Sequence, residues 1–382
     1  MARSLLGLTR EEPRLSSLSP QDSLQDTEWE ECLIEPRKDA ELEREARRVY
    51  GVVPPATPFL APCPWLARAL GRSHYRNGLL AHIPLDLGDL VFLAVSQENS
   101  CRYCYAAQRA SFRIQGFDEE RIRNVEEASF SAESDRREQL ALDFARRIAR
   151  SNPAPAAADR EALREAGYGN EEMKEIAYVA AYTVWGNQGT TLPAVPVDGV
   201  EGLADRWLTR MLRPVLAKVL RSRSSRGRPE RLAPQLRTGP FAYVALELDG
   251  LPAARTWQEN LGSAWSSPLL SPRAKALVFA VVARGLGSRR AEEEAKRLLA
   301  PEGLGPGEVE EILAHLASPK LDRVEAAIVP FARQTIRYRP ADIQRRARRL
   351  LDELSTEQFL ELVGVAGLAN ATVRLSLALC ES

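Results

Sequence analysis

Laid against itself with a shift of 187 residues, the chain meets its own pattern. Leu90-Val91-Phe92 falls on Leu277-Val278-Phe279, and Phe144-Ala145-Arg146 falls on Phe331-Ala332-Arg333. Arg150 meets Arg337, Pro153 meets Pro340 and Leu163 meets Leu350; after a one-residue gap, Glu175 meets Glu361. Isolated matches mean little in Ala- and Arg-rich sequence. Two tripeptides and an Arg-x-x-Pro at one offset are the mark of one structural unit used twice. The chain therefore divides into a polar N-terminal arm (1–50), a first unit (51–200), a basic helix and linker (201–239) and a second unit (240–382).

Within the units nearly every segment reads as helix. Strand-type alternation of apolar and polar residues is almost absent, which predicts an all-α chain. The first unit opens on a Pro-rich approach, VVPPATPFLAPCP, where each Pro also pushes its predecessor out of the helical region. Helices are expected over 64–70, 86–97, 101–115, 118–128, 133–151, 158–166 and 170–186. Ser100 is the expected N-cap of the 101–115 helix and Gly116 its stop. The arm reads as poorly ordered, with one short helix around Ala40 to Tyr50.

Charge and composition remove several function classes. Lys plus Arg equals Asp plus Glu, at 52 each, so no overall cationic field holds this chain to nucleic acid. The basic stretch RSRSSRGRPER reads as a solvated connector, because no aromatic residues interleave with its charges to stack bases. No uninterrupted apolar run approaches the length of a bilayer span. The start, MARSLLGLTREEPRL, is too short in apolar residues for a signal-peptide core. These features predict a cytoplasmic protein with neither nucleic-acid nor membrane partners. Five cysteines in 382 residues do not make a secreted disulfide framework. Cys63, between two prolines, reads as structural or exposed, and Cys32 and Cys380 as incidental.

The remaining pair stands as Cys101-x-x-Cys104, a spacing that points to redox or metal chemistry in a reducing compartment. Cys101, Cys104 and Gln108 fall at i, i+3 and i+7 on one predicted helix, hence on one face. A cysteine at a helix start meets unpaired backbone N–H groups and the positive end of the macrodipole, which favour the thiolate. If the chain turns back at Asn99-Ser100, Asp89 and Gln108 both lie roughly 14 Å from the turn. Asp89 then lies level with Gln108 and can serve as a proton acceptor, directly or through water. A zinc half-site is the competing reading, but structural zinc wants four ligands, and neither a second Cys-x-x-Cys nor a His-x-x-x-His occurs. Tyr178, Tyr182 and Trp185, at helical spacing, read as core.

The stretch LGDLVFLAVSQENSCRYCYAAQ, with the PWLARAL helix before it, resembles the alkylhydroperoxidase D and carboxymuconolactone decarboxylase superfamily. The resemblance covers most of residues 60–190, and a degenerate echo covers most of 240–382. It implies a duplicated, alkylhydroperoxidase D-like helical bundle. The redox branch of that family carries an acid, the two cysteines and a histidine at the positions of Asp89, Cys101, Cys104 and Gln108. It implies a thiol-dependent peroxidase or disulfide reductase with an antioxidant role, needing no cofactor or metal. By this likeness Cys104 attacks the peroxide and Cys101 resolves, although the dipole alone favours Cys101. A lipoyl protein or thioredoxin would reset the pair, and a homo-oligomer is expected.

Two departures bear on catalysis. Asp89 is one methylene shorter than the family's Glu. Gln108 replaces a histidine, and an amide cannot exchange a proton near neutral pH. A slower turnover than the family norm follows, unless another group takes the histidine's place. Of the three histidines, His74, His82 and His315, His82 is the candidate for that role. In the second unit Ala276, Ser288, Ala291 and Ala295 occupy the corresponding positions, so that half reads as scaffold. The alternative reading is a catalytically weak or inactive binding or assembly protein on the same fold.

Overall fold

A computed structural model describes residues 24–128, 133–200, 217–218 and 225–381. Among them every regular element is helical, with an isolated bridge between Asn77 and Ser225. The first half holds α1 (Ala40–Tyr50), α2 (Thr57–Leu60), α3 (Pro64–Arg72), α4 (Leu85–Glu98), α5 (Arg102–Gln115), α6 (Glu119–Glu127), α7 (Glu133–Arg150), α8 (Ala157–Glu165) and α9 (Asn170–Thr191). The second holds α10 (Ala242–Glu247), α11 (Pro252–Ser266), α12 (Pro272–Leu286), α13 (Arg289–Leu299), α14 (Pro306–His315), α15 (Arg323–Gln334), α16 (Pro340–Leu350) and α17 (Thr356–Leu379). The starts of α4, α5 and α6 recur in α12, α13 and α14 at the sequence offset of 187.

Local chemistry sets the boundaries. Asp39 caps α1 by accepting from the N–H groups of Glu41 and Leu42, and Gly51 closes it with φ 82°. Gly116 ends α5 in the left-handed region, as its sequence position predicts. The start of α5 differs: the N-cap is Cys101, and Ser100 is a left-handed residue (φ 51°) before it. Ser100 is needed to reverse the chain, so the capping role moves one residue on.

The centre of the molecule is α9 against α17. Both are buried on nearly every side, and one apolar core runs through both halves. By length and composition α17 could cross a membrane, but 94% of its apolar window is buried inside the fold. Close approach is achieved at two glycines one turn apart on α17. A Cβ on Gly364 would sit 2.8 Å from the Trp65 ring, and one on Gly367 would sit 2.5 Å from Trp185. The Trp185 indole N–H donates to the Gly364 carbonyl at 3.1 Å. Beside it Gln188 donates to the Thr335 carbonyl (2.8 Å), and Asn370 donates to Thr335 Oγ1 (2.9 Å). Trp185 and Gln188 thus bond across the seam between the halves, and Asn370 supports Thr335 from within the second.

Two segments are more engaged than their composition suggests. From Leu24 onward the arm is packed on the body. Trp29 donates to the Val195 carbonyl at 3.1 Å, Leu33 N–H to Pro193 at 3.1 Å, and Glu30 N–H to Gln344 at 2.9 Å. The end of the linker also lies against the first half, where Gly227 N–H donates to the Leu80 carbonyl at 2.8 Å. Its expected basic helix falls largely outside the described residues.

Gly367→Ala should cost about 1–3 kcal/mol through overpacking against Trp185. Gly262→Ala in α11, where a Cβ meets nothing within 4 Å, should leave stability unchanged or raise it. Denaturant unfolding of the two variants checks the difference.

Candidate functional site

The site is built at the reversal between α4 and α5. Ser100 turns the chain, and Cys101 N–H donates back to the Ser96 carbonyl at 2.9 Å. This places the Cys101 side chain over the first turn of α5. Its sulfur accepts the Cys104 backbone N–H at 3.3 Å, the place a Ser or Asp oxygen takes in an ordinary N-cap. In the second half Ser288 does the same with oxygen, accepting from Ala291 N–H at 3.2 Å. Gly287 there takes the left-handed turn that Ser100 takes here. Cap and turn are thus common to both halves, and sulfur belongs to one.

Cys104, one turn further along, faces the same way. The end of α9 closes over both sulfurs: Thr190 Oγ1 lies 3.2 Å from Cys101 Sγ and 3.3 Å from Cys104 Sγ. Cys101 Sγ also lies 3.8 Å from the Asn187 carbonyl. Both cysteines are free thiols. Burial pushes the Cys101 thiol up, but hydrogen bonds from Cys104, Thr190, Thr191 and the Cys104 backbone outweigh it. The result is a thiol below its ordinary value. Cys104 goes the other way, raised by burial and by its hydrogen bond to, and the charge of, Cys101. Within the pair, Cys101 is therefore the sulfur that ionises first. The other thiols offer no competition, for burial raises Cys32, and it pushes Cys63 and Cys380 up to about 12. Cys63, read from sequence as structural or exposed, is wholly buried.

Beside the pair lies a cavity of about 580 Å³ with mainly apolar walls, among them Tyr50, Phe92, Tyr103, Ile114 and Tyr182. Cys104 and Thr190 line it; Cys101, with no exposed surface, does not. Helix α1 forms one side through Leu42, Ala46, Val49 and Tyr50. Gln108 also lines the cavity, and its Nε2 is buried without a hydrogen-bond partner. A buried amide donor left open in a cavity is a ready contact for an acceptor atom on a ligand.

Asp89 reaches this cavity but not the sulfurs. Its carboxylate accepts from Tyr75 Oη at 2.6 Å and from Arg76 Nε at 2.9 Å, and Arg76 Nη2 closes a second contact. No hydrogen bond joins it to Gln108 or to either cysteine. The expected pairing with Gln108 is replaced by an Arg76 clamp, because a buried carboxylate binds the nearest guanidinium. His82 is exposed on the loop before α4, where its backbone N–H donates to Glu175 at 2.9 Å, so it is not placed to replace the missing histidine. His74 does line the cavity; burial and the Arg76 charge hold it down to about 3, so it stays neutral. His315 is exposed at the end of α14. Among the described residues no group of three His, Cys, Asp or Glu side chains forms a metal-ligand set.

The comparisons with known proteins are sparse. No family model matches the chain, and no curated protein matches it. A solved structure from Ralstonia eutropha JMP134, described as the alkylhydroperoxidase AhpD core of an uncharacterized peroxidase-related protein, is similar in part. The identity is 26%, over 43% of this chain and 87% of that one, with a TM-score of 0.38.

Sequence reasoning missed Thr190, the Tyr75–Arg76 clamp and the contribution of α1. Thr190 carries no local signal, because the sulfurs it meets lie nearly ninety residues earlier in the chain.

The pair should lose one proton below the ordinary thiol range near pH ~8.5 and keep the second well above it. Site-resolved alkylation should therefore show labelling of the pair rising through a single step at lower pH than the other three cysteines. Five cysteines titrating together would contradict this electrostatic reading.

Proposed function

We propose that this chain is a thiol-dependent peroxidase that reduces organic hydroperoxides. The observation that carries this reading is the convergence of two free sulfurs on one hydroxyl, with one of them opening onto an apolar cavity. Cys104 attacks, because it meets the cavity; Cys101, buried behind it, resolves. Charge alone favours Cys101, but a nucleophile must also reach its substrate.

The chemistry balances without a cofactor. The Cys104 thiolate attacks the distal peroxide oxygen, the O–O bond breaks, and the alkoxide leaves and takes a proton as the alcohol. Cys104 is then a sulfenic acid. The Cys101 sulfur, as thiolate, attacks the Cys104 sulfur, expelling hydroxide and closing the disulfide. The two electrons that reduce ROOH to ROH come from the two sulfurs. An external dithiol of the lipoyl-protein or thioredoxin class restores them by exchange. The open Gln108 amide donates to a peroxide oxygen in place of a histidine. The second half, read as a degenerate copy, keeps the cap at Ser288 and supplies the backing for α9.

A second reading is favoured by the Arg76 clamp on Asp89 and by Gln108. With no histidine–carboxylate relay, the cavity would bind a ligand and turn over slowly or not at all.

Peroxide consumption with dithiothreitol or dihydrolipoamide separates the two. Cys104→Ser should abolish consumption. Cys101→Ser should stop at a sulfenic acid trapped by dimedone, with no intrachain disulfide. Gln108→Leu should lower kcat/KM by about tenfold, the worth of one hydrogen bond to the reacting group. Wild-type protein that binds hydroperoxide without forming a disulfide would establish the second reading.

A further inference from the structure

Thr190 is the residue that a peroxidase of this kind would need and that the sequence pattern does not announce. It sits in the last turn of α9, a helix from outside the α4–α5 hairpin, and its Oγ1 is almost equidistant from the two sulfurs, at 3.2 and 3.3 Å. A hydroxyl carries one donor and two acceptor positions and can rotate between partners. Thr190 Oγ1 also lies 3.2 Å from the Asn187 carbonyl and 3.3 Å from the Gly186 carbonyl. Both carbonyls are acceptors, so they compete with the sulfurs for the one hydroxyl proton, while the helix backbone fixes the oxygen between the two sulfurs.

The site as described has a mismatch. The sulfur that the fold prepares as the thiolate is Cys101, and the sulfur that meets the cavity is Cys104. Attack from the cavity requires the proton to change places. The other groups facing the pair do not carry it. Asp89 is engaged by Tyr75 and Arg76, and His74 is held neutral. Burial keeps Tyr103, Tyr182 and Tyr338 protonated. Gln108 has no exchangeable acidity near neutral pH.

We propose that the Thr190 hydroxyl is the proton relay between Cys104 and Cys101. The Cys104 S–H proton moves to Thr190 Oγ1 as the Thr190 O–H proton moves to the Cys101 sulfur. The S–H bond of Cys104 breaks, an O–H bond is exchanged for another at Thr190, and an S–H bond forms at Cys101. Charge, electrons and proton number are unchanged. After Cys104 has been oxidised, the same hydroxyl is positioned to take the proton from Cys101 as its own proton passes to the sulfenic oxygen on Cys104; Cys101 then attacks as thiolate and that oxygen leaves as water. The relay rests on the peroxidase reading for its purpose, but its effect on Cys104 is measurable without peroxide.

The test uses the full, reduced chain with Thr190→Val, Thr190→Ala and Thr190→Ser. Iodoacetamide labelling of Cys104 is followed by mass spectrometry from pH 5 to 10, alongside oxidation by cumene hydroperoxide. Diamide supplies a relay-independent route to the Cys101–Cys104 disulfide and reports that the two sulfurs remain adjacent. Removing a proton-transfer group should slow Cys104 labelling at pH 7 by about tenfold to a hundredfold. It should also move the midpoint of the labelling profile upward. Thr190→Ser should return both rate and profile to near wild type, and diamide should cross-link all four proteins. Thr190→Ala serves where the valine variant folds poorly. Cys104 labelling at the wild-type rate and pH profile in the valine or alanine variant overturns the relay. So does a serine variant that is folded yet as slow as valine. If labelling behaves as expected but hydroperoxide leaves wild type unoxidised, the relay stands and the peroxidase reading falls.

Discussion

The first turn of α5 has backbone N–H groups that no helix can satisfy internally, and the side chain satisfying one of them is a sulfur. Everything at the site follows from that contact between Cys101 Sγ and Cys104 N–H. It fixes the rotamer of Cys101, brings Cys104 round to the same face one turn later, and offers partial positive charge to a thiolate. A cap made of sulfur holds only if the chain reverses at Ser100 in a conformation that side chains seldom adopt. It is productive only if a second element closes over it, which α9 does with Thr190. In turn α9 is held by α17, whose glycines let two tryptophans approach the backbone.

Helix positions were legible because their signals are local. Asp39, Gly51 and Gly116 act within a turn of themselves, and the Cys-x-x-Cys spacing places two sulfurs on one face wherever the helix goes. The N-cap was misplaced by one residue because Ser100 is the better capping side chain, and propensity does not register a demand for positive φ. Asp89 shows the limit of register arguments. Its level along the hairpin puts it on the cavity, but Arg76, on the loop before α4, takes up its carboxylate. Thr190 was out of reach because it arrives from a helix nearly ninety residues away. From Leu24 onward composition misjudged the arm: Trp29 and Glu30 stand in a polar stretch, yet their contacts are with Val195 and Gln344.

Comparison of the two halves separates what the fold requires from what the chemistry requires. Both use a left-handed turn, a side-chain cap and a long buried helix behind it. Both bury a carboxylate near the start of that helix. Glu175 accepts from the N–H groups of Ala81, His82 and Ile83, and Glu361 accepts from Leu270 N–H and pairs with Lys275. A buried acid must be matched by several donors, by a cation, or by both, so these contacts belong to architecture. Cys101, Cys104, Gln108 and Asp89 have no counterpart able to ionise at Ser288, Ala291, Ala295 and Ala276. Serine at the cap keeps the turn without a thiol, and alanine one turn on leaves no second sulfur.

Helix α1 walls the cavity, yet it lies well ahead of the α4–α5 hairpin that carries the sulfurs. The two sulfurs and one wall of the cavity beside them are thus written in separate stretches of the chain. Changes in Leu42, Ala46 or Val49 can reshape the cavity while the hairpin beneath stays untouched. The volume beside the sulfurs can then drift, or be engineered, independently of the sulfurs themselves.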